Sequence, residues 1–408
     1  MKRLLRGLIL LLVRLYGIPG ARAAARRARS AAVPASPRIL LIRPDHLGDL
    51  VLTTPVLHAL RQQLPDAHIT MAVGPWSSEI VARHPDLDRV VVLPFPGFSR
   101  APQKPLAPYT LLYNAARQLR RGHYDLAVNL RPDFWWGAAL LYLAAIPCRA
   151  GYALPPATPF LTHALPFTTP ELASVSNLRL LSLDLRALGG KPLLEPWSPS
   201  VYPLLFRPTT EEQRQVNERL QQAGIDETIP IIVIHPGSGA AVKLWRSDGW
   251  ARIAEQLPAR LTFSPPARII LTGSKSEQAL LDETAQAMRP EQGQEPLILT
   301  SLSIGQLAAL LGRAMLVLGV DNGPLHIAVA QGTPTLQIYG PTDPRIFGPW
   351  GNPERHRVLA STERCASCPA IPCGRLDFTP EELPAHPCVR NLAELTVMDA
   401  IQPLLVND

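Results

Sequence analysis

The 408-residue chain has no acidic residue at its start, few cysteines and few aromatic side chains. Residues 1–38 contain no Asp or Glu but hold Lys2, Arg3, Arg6, Arg14, Arg22, Arg26, Arg27, Arg29 and Arg38. Setting those nine aside from the 40 Lys and Arg leaves 31 against 33 Asp and Glu, so the net charge of +7 resides in the N-terminal arm. A near-neutral body argues against nucleic acid as a partner, whereas a basic arm suits an anionic membrane surface. Five cysteines are an odd number and no convincing secretory signal precedes them, which argues against a disulfide framework. The apolar run at residues 7–13 is broken by Arg14 and is too short to cross a bilayer. A Walker A loop, an H-E-x-x-H pair and a G-x-S-x-G elbow are all missing, so the chemistry of those motifs is not expected.

What the chain does have is a regular alternation of two patterns. Residues 38–42 (RILLI), 68–73, 90–93 and 126–130 are apolar runs bounded by turn residues, and they read as strands buried on both faces. Leu50, Val51, Leu57 and Leu60 recur at helical spacing, and residues 111–121 read as another helix. A proline-rich stretch at 192–208 reads as a linker. The alternation then restarts, with strands at 230–234, 268–272, 297–300, 316–319 and 335–339 and helices between them. This predicts an α/β chain of two doubly wound parallel sheets, residues 37–200 and 201–395. A basic arm at 1–36 precedes them, with residues 2–16 as an amphipathic helix on a membrane surface. A helix at 396–408 follows and is expected to cross back onto the first domain.

Loops at predicted strand ends carry the chemistry, because such sheets bind ligands at the carboxyl ends of their strands. Asp321 ends a strand and suits sugar hydroxyls. Asn322-Gly323-Pro324 turns into a helix whose first position suits Pro324 and whose free N–H groups suit a phosphate, with His326 in the first turn. In residues 235–250 (HPGSGAAVKLWRSDGW), Gly237 and Gly239 permit close approach of a ligand, although the third glycine of the dinucleotide fingerprint is missing. Asp49, in residues 43–49 (RPDHLGD), fits either a general base or a helix N-cap, with Asp45 and His46 beside it. Arg43 and Arg131 are candidates for anionic groups on an acceptor. Trp135 and Trp136 suit sugar stacking or the core. The pair Asp86 and Asp88 precedes a strand and so speaks against a metal at a strand end.

The pattern D-x-G-x-x-H from Asp321 to His326, a small-residue helix, G-x-P and then Tyr339-Gly340-Pro341-Thr342-Asp343-Pro344 resemble the donor-binding signature of glycosyltransferase family 9, the heptosyltransferases of bacterial lipopolysaccharide assembly. Lys243-Leu244-Trp245 is similar to the family's K-x-W stretch, Leu47-Gly48-Asp49 to its L/M-G-D stretch, and Gly273 to Glu277 to its G-x-x-x-E stretch. The resemblance covers residue 38 to about 395. It implies the GT-B architecture, with two Rossmann-like domains facing across a cleft, the first for the acceptor and the second for the nucleotide sugar. It implies that Lys243 contacts the donor diphosphate with help from Ser238, that Glu277 holds the ribose, and that Asp321, Asn322, Gly323 and His326 belong to the donor site. Asp49 matches the proposed general base of an inverting transfer. The implied donor is ADP-heptose and the acceptor a lipopolysaccharide core or other cell-surface glycan. The basic arm points to a cytoplasmic location, peripheral on the inner face of the cell membrane, and no cofactor is expected to be required for catalysis. An epimerase-like nucleotide-sugar enzyme and a non-catalytic nucleotide-sugar-binding protein remain as alternatives.

Cys365, Cys368, Cys373 and Cys388 follow the spacing C-x2-C-x4-C-x14-C, with His386 among them. The spacing begins like a metal site but is not a paired CxxC. Structural zinc, a disulfide pair and free thiols all fit it.

Overall fold

The computed structural model describes residues 2–30, 32, 34–98, 106–167, 170–185, 188, 190–193, 195–261, 265–289 and 294–405. It divides into two compact units, Met1–Tyr202 and Pro203–Asp408, and the division falls inside the proline-rich stretch.

The first unit holds β1 (Arg38–Arg43), β2 (His68–Val73), β3 (Arg89–Val92), β4 (Leu126–Asn129), β5 (Cys148–Tyr152) and β6 (His163–Leu165), in the order β3-β2-β1-β4-β5-β6. The second holds β7 (Ile231–His235), β8 (Arg268–Gly273), β9 (Leu297–Thr300), β10 (Leu316–Val320), β11 (Thr335–Tyr339) and β12 (His356–Ala360), in the order β12-β11-β10-β7-β8-β9. Every strand pair is parallel. Counted within its own unit, each sheet has the order 3-2-1-4-5-6 of a Rossmann fold, and strand order reverses once, at β1/β4 and at β7/β10.

The central strands are continuous apolar runs because helices cover both faces: β7 and β10 are buried along their whole length. Each Ile, Leu or Val so buried contributes roughly 1.5–3 kcal/mol. The polar β5 (CRAGY) has a different basis. Arg149 is buried within it and donates from Nε to the Phe160 carbonyl at 2.8 Å, with further bonds to nearby carbonyls. Burial lowers its pKa.

One expectation is corrected. The N-terminal helix runs Lys2–Ser30 and does not stop near residue 16. Its second half is rich in Ala and Arg, which are strong helix formers. Leu10, Val13, Gly17, Ala21 and Ala24, spaced three or four apart, form a docked stripe rather than a lipid-facing one. A Cβ on Gly17 would stand 2.2 Å from the Tyr142 ring, and the Tyr142 hydroxyl donates to the Arg14 carbonyl at 2.8 Å. Leu8, Leu11, Leu12, Leu15 and Tyr16 are exposed on the other side, so apolar residues line both sides of its first half. From Gly7 to Ser30 this helix is long and apolar enough to cross a membrane by length and composition, unlike the run before Arg14 taken alone. The last helix, Glu394–Ile401, packs on the second unit itself: Val397, Met398 and Ile401 enter the same core as Trp250 and Ile253.

Candidate functional site

In the second unit, the reversal between β7 and β10 gathers the residues read as a donor site. Asp321 follows β10 directly and is buried. Its Oδ2 accepts from Lys243 Nζ at 2.7 Å and from the Thr342 hydroxyl at 2.6 Å. Lys243 ends the short 3-10 turn Ala241–Lys243 beyond β7, and its side chain retains 15% of its exposure. An ammonium has three N–H donors, so this pairing leaves two for a ligand. Asn322 caps the helix Gly323–Ala330 by accepting from Leu325 N at 3.1 Å, and its Nδ2 donates to the Gly237 carbonyl at 2.8 Å. One residue thus starts the helix and ties it to the β7 loop. Pro324 has no N–H and Leu325 N is already bound, so the amide the helix offers to an anion is chiefly that of Gly323. That is fewer amides than the helix start alone suggested.

Gly237 and Glu277 lie together. A Cβ on Gly237 would stand 2.0 Å from Glu277 Oε1, so any side chain there displaces the carboxylate. Glu277 Oε2 accepts from the Ser274 amide and hydroxyl, at 2.7 Å each, in a capping box. Ser238 stands half-buried in the same loop. His235, at the end of β7, contacts the Thr272 hydroxyl at 3.0 Å, and burial lowers its pKa to about 4 against the pull of Glu277. His326 is buried as well. Burial lowers its pKa to about 4, Asp321 opposes the shift and Lys243 adds to it, and its Nδ1 has no hydrogen-bond partner. It is therefore a neutral imidazole at pH 7. Thr342 and His235 received no role from the sequence, where nothing marks a loop hydroxyl or a strand-end imidazole as turned toward Asp321 or Glu277.

In the first unit, the reversal between β1 and β4 carries charges that neutralise one another. Asp45 is 2% exposed and pairs with both candidate arginines, with Arg43 Nε at 2.7 Å and with Arg131 Nη1. Arg131 also pairs with Asp133 at 2.8 Å; burial works against its charge, but the two carboxylates prevail and raise its pKa. Arg43 was expected to meet an acceptor. It is buried instead, with its other donors on the Leu130 carbonyl at 3.0 Å, Asn177 at 3.3 Å and Asp49 Oδ1 at 3.4 Å. Arg131 keeps a third of its side-chain exposure. Asp49 lies inside the helix Leu47–Val51, whose N-cap position is His46, so the capping role does not hold. Its side chain is 26% exposed.

An aromatic wall that the sequence reading missed stands beside these charges. Trp76 and Phe98 stack with centroids 6.3 Å apart, His46 lies 5.7 Å from Trp76, and the Arg131 guanidinium sits 5.0 Å over Phe98. Trp76 Nε1 donates to the Asp45 carbonyl at 3.0 Å. Trp136 belongs to the core and donates to the Pro108 carbonyl, so it is not a sugar platform, and Trp135 is half-buried against the same core. Asp86 and Asp88 are held by His58 and Arg61.

Four cysteines and His386 form a third cluster. Cys365, Cys388 and His386 are buried, Cys368 and Cys373 half-buried, and no disulfide joins them. Burial and the Cys365 thiol push the Cys388 thiol up to about 12.

The glycosyltransferase family 9 (heptosyltransferase) profile matches residues 112–375. Lipopolysaccharide heptosyltransferase 3 of Escherichia coli is 27% identical over 312 residues, spanning 75% of this chain and 84% of the relative. Among solved structures, a family 9 glycosyltransferase from Veillonella parvula superposes with a TM-score of 0.73 at 21% identity, covering 93% of this chain and 99% of its own. The E. coli ADP-heptose lipopolysaccharide heptosyltransferase II gives 0.65 at 19% identity, covering 90% and 98%. These structural likenesses establish the two-Rossmann GT-B fold, and the profile, matching well over half of a chain with these motifs on its strand ends, shows that this protein belongs to glycosyltransferase family 9.

Proposed function

We propose that the chain transfers heptose from ADP-heptose onto a glycolipid acceptor of the lipopolysaccharide core, with inversion at the anomeric carbon. The observation that carries this is the Lys243, Asp321 and Thr342 cluster at the β7/β10 reversal, beside an Asn322-capped helix. The name of the similar E. coli heptosyltransferase 3 supports heptose as the sugar, and that of heptosyltransferase II supports ADP-heptose as the donor.

Asp49 takes the proton from an acceptor hydroxyl as that oxygen bonds to the anomeric carbon. The bond from that carbon to the phosphate oxygen breaks, and ADP leaves with the electron pair. Lys243 and the Gly323 amide stabilise the charge on the leaving diphosphate, Ser238 donates to it, and Asp321 both orients Lys243 and accepts from sugar hydroxyls. Glu277 accepts from the ribose. His326, neutral and buried, shapes the floor of the site. Arg131, part-exposed over Phe98, takes an anionic group of the acceptor, and Arg43 positions Asp49. The chemistry needs no cofactor, and the cysteine cluster is structural, with zinc as the ion its donors suit. The exposed face of the helix Lys2–Ser30, apolar at Leu8 to Tyr16 and basic at Arg22, Arg26 and Arg29, binds the anionic inner leaflet and makes the enzyme peripheral to the cytoplasmic side.

The test follows ADP released from ADP-heptose with and without a heptose-deficient core glycolipid, and reads the product's anomeric configuration by NMR. ADP formed only with acceptor, with inverted product, is expected. Release without acceptor, or a rearranged sugar nucleotide, would replace transfer with hydrolysis or epimerisation.

A further inference from the structure

Residues 361–393 contain a single regular element, the 3-10 turn Leu383–Ala385, yet Cys365, His386 and Cys388 within them are only 6%, 8% and 3% exposed. A segment with so little repetitive structure needs some other constraint to hold three side chains in the interior. The sulfurs of Cys365 and Cys368 and a ring nitrogen of His386 lie within 4.8 Å of one another. Cys368 Sγ is 3.3 Å from His386 Nδ1. Donor atoms around a tetrahedral ion with bonds of about 2.3 Å to sulfur and about 2.0 Å to nitrogen stand roughly 3.6 Å apart, so this contact is close to the edge of such a tetrahedron. Further thiols are at hand on the same segment: Cys373, half-buried, and Cys388, buried. On its far side His386 Nε2 is 3.4 Å from the Ser367 hydroxyl, the outer partner that a metal-bound imidazole ordinarily has, and Phe378 covers the ring at 3.8 Å. The donors are soft, which selects zinc or ferrous iron over magnesium or calcium.

The cluster also adjoins the donor rim. Gly340 follows β11, and a Cβ there would stand 2.3 Å from Val389 and 3.3 Å from Cys388 Sγ. The next residue, Pro341, accepts at its carbonyl from Gly374 N at 2.7 Å. After it comes Thr342, whose hydroxyl holds Asp321. The cysteine segment thus braces both residues that precede Thr342.

We propose that Cys365, Cys368 and His386, with a fourth thiolate from Cys373 or Cys388, bind one soft divalent ion, and that this ion fixes the loop that presents Thr342 to Asp321. The metal site stands apart from the donor reading; only its link to Thr342 rests on that reading. The first test is elemental analysis of the purified full chain produced with zinc and iron in the medium. Roughly one equivalent of zinc or iron per chain is expected, lost in Cys368→Ser and in His386→Ala. A chain that carries neither metal overturns the site, as does metal retained undiminished in both variants. The second test compares ADP affinity of His386→Ala, checked for retained fold by circular dichroism, with that of the zinc-loaded parent. A loss of about tenfold is expected, the scale on which outer supports of a site act. Unchanged affinity overturns the link to Thr342. Failure of the parent to bind ADP overturns the donor reading, and the metal content alone then decides whether the site stands.

Discussion

The β1/β4 and β7/β10 reversals are the same backbone event, reached by the same strand order in two sheets, and they carry opposite chemistry. At β7/β10 Lys243 pairs with Asp321 and keeps donors for an outside partner beside a capped helix start. At β1/β4 two arginines and two carboxylates bind one another, and an aromatic wall of Trp76 and Phe98 stands over them. On the reading proposed above, the topology fixes where a ligand sits and the loop residues fix which one: a diphosphate needs uncommitted positive charge, whereas the proposed base Asp49 is a carboxylate steadied by Arg43.

That contrast can be broken by substitution. The largest effect is expected for Asp49→Asn, a fall in turnover of about 10²–10⁴-fold with ADP affinity unchanged; a parallel loss of ADP binding would erase the division of labour. Lys243→Ala is expected to lower turnover by about 10²–10³-fold and to weaken ADP, read by calorimetry, without moving acceptor KM. Unfolding measured against pH tests the buried histidines of the second unit. His235 and His326 titrate at about 4 when folded against the ordinary 6.5, so their contribution is complete above pH 6.5 and is lost as pH falls toward 4. Each is expected to remove up to about 3 kcal/mol over that window, and melting that stays level from pH 7 to pH 4.5 would contradict their burial as neutral rings. The smallest effect is expected for Arg131→Ala. It leaves Asp45 to Arg43 alone, lowers stability by about 1–3 kcal/mol and raises acceptor KM, while the ADP response stays as in the parent.

Legibility in the sequence followed the range of the forces involved. Strands β1, β7, β8 and β10 were readable because burial on both faces leaves an unbroken apolar run. β5 and β6 were not, since CRAGY and HAL are short and polar and Arg149 is satisfied by carbonyls distant from the strand pattern. The residues proposed for the donor stand out as motifs, Asp321 with His326 and Lys243 with Trp245, but the Lys243 to Asp321 ion pair joins positions 78 apart and leaves no local trace. Likewise Arg131 and Asp45 are 86 apart, and Arg43 is internal through Leu130 and Asn177, which stand 87 and 134 positions away. The second half of the N-terminal helix is hard to read because its docking stripe there is made of small residues, Gly17, Ala21 and Ala24, which carry little hydropathy; Gly17 lies against Tyr142.

The most direct test of the central claim is amide hydrogen exchange of the full chain with and without saturating ADP. Protection confined to residues 237–243 and 321–326, with 43–49 and 131–136 unchanged, is the predicted result. Protection centred on 43–49, or none at either reversal, would contradict the assignment of the donor to the second unit.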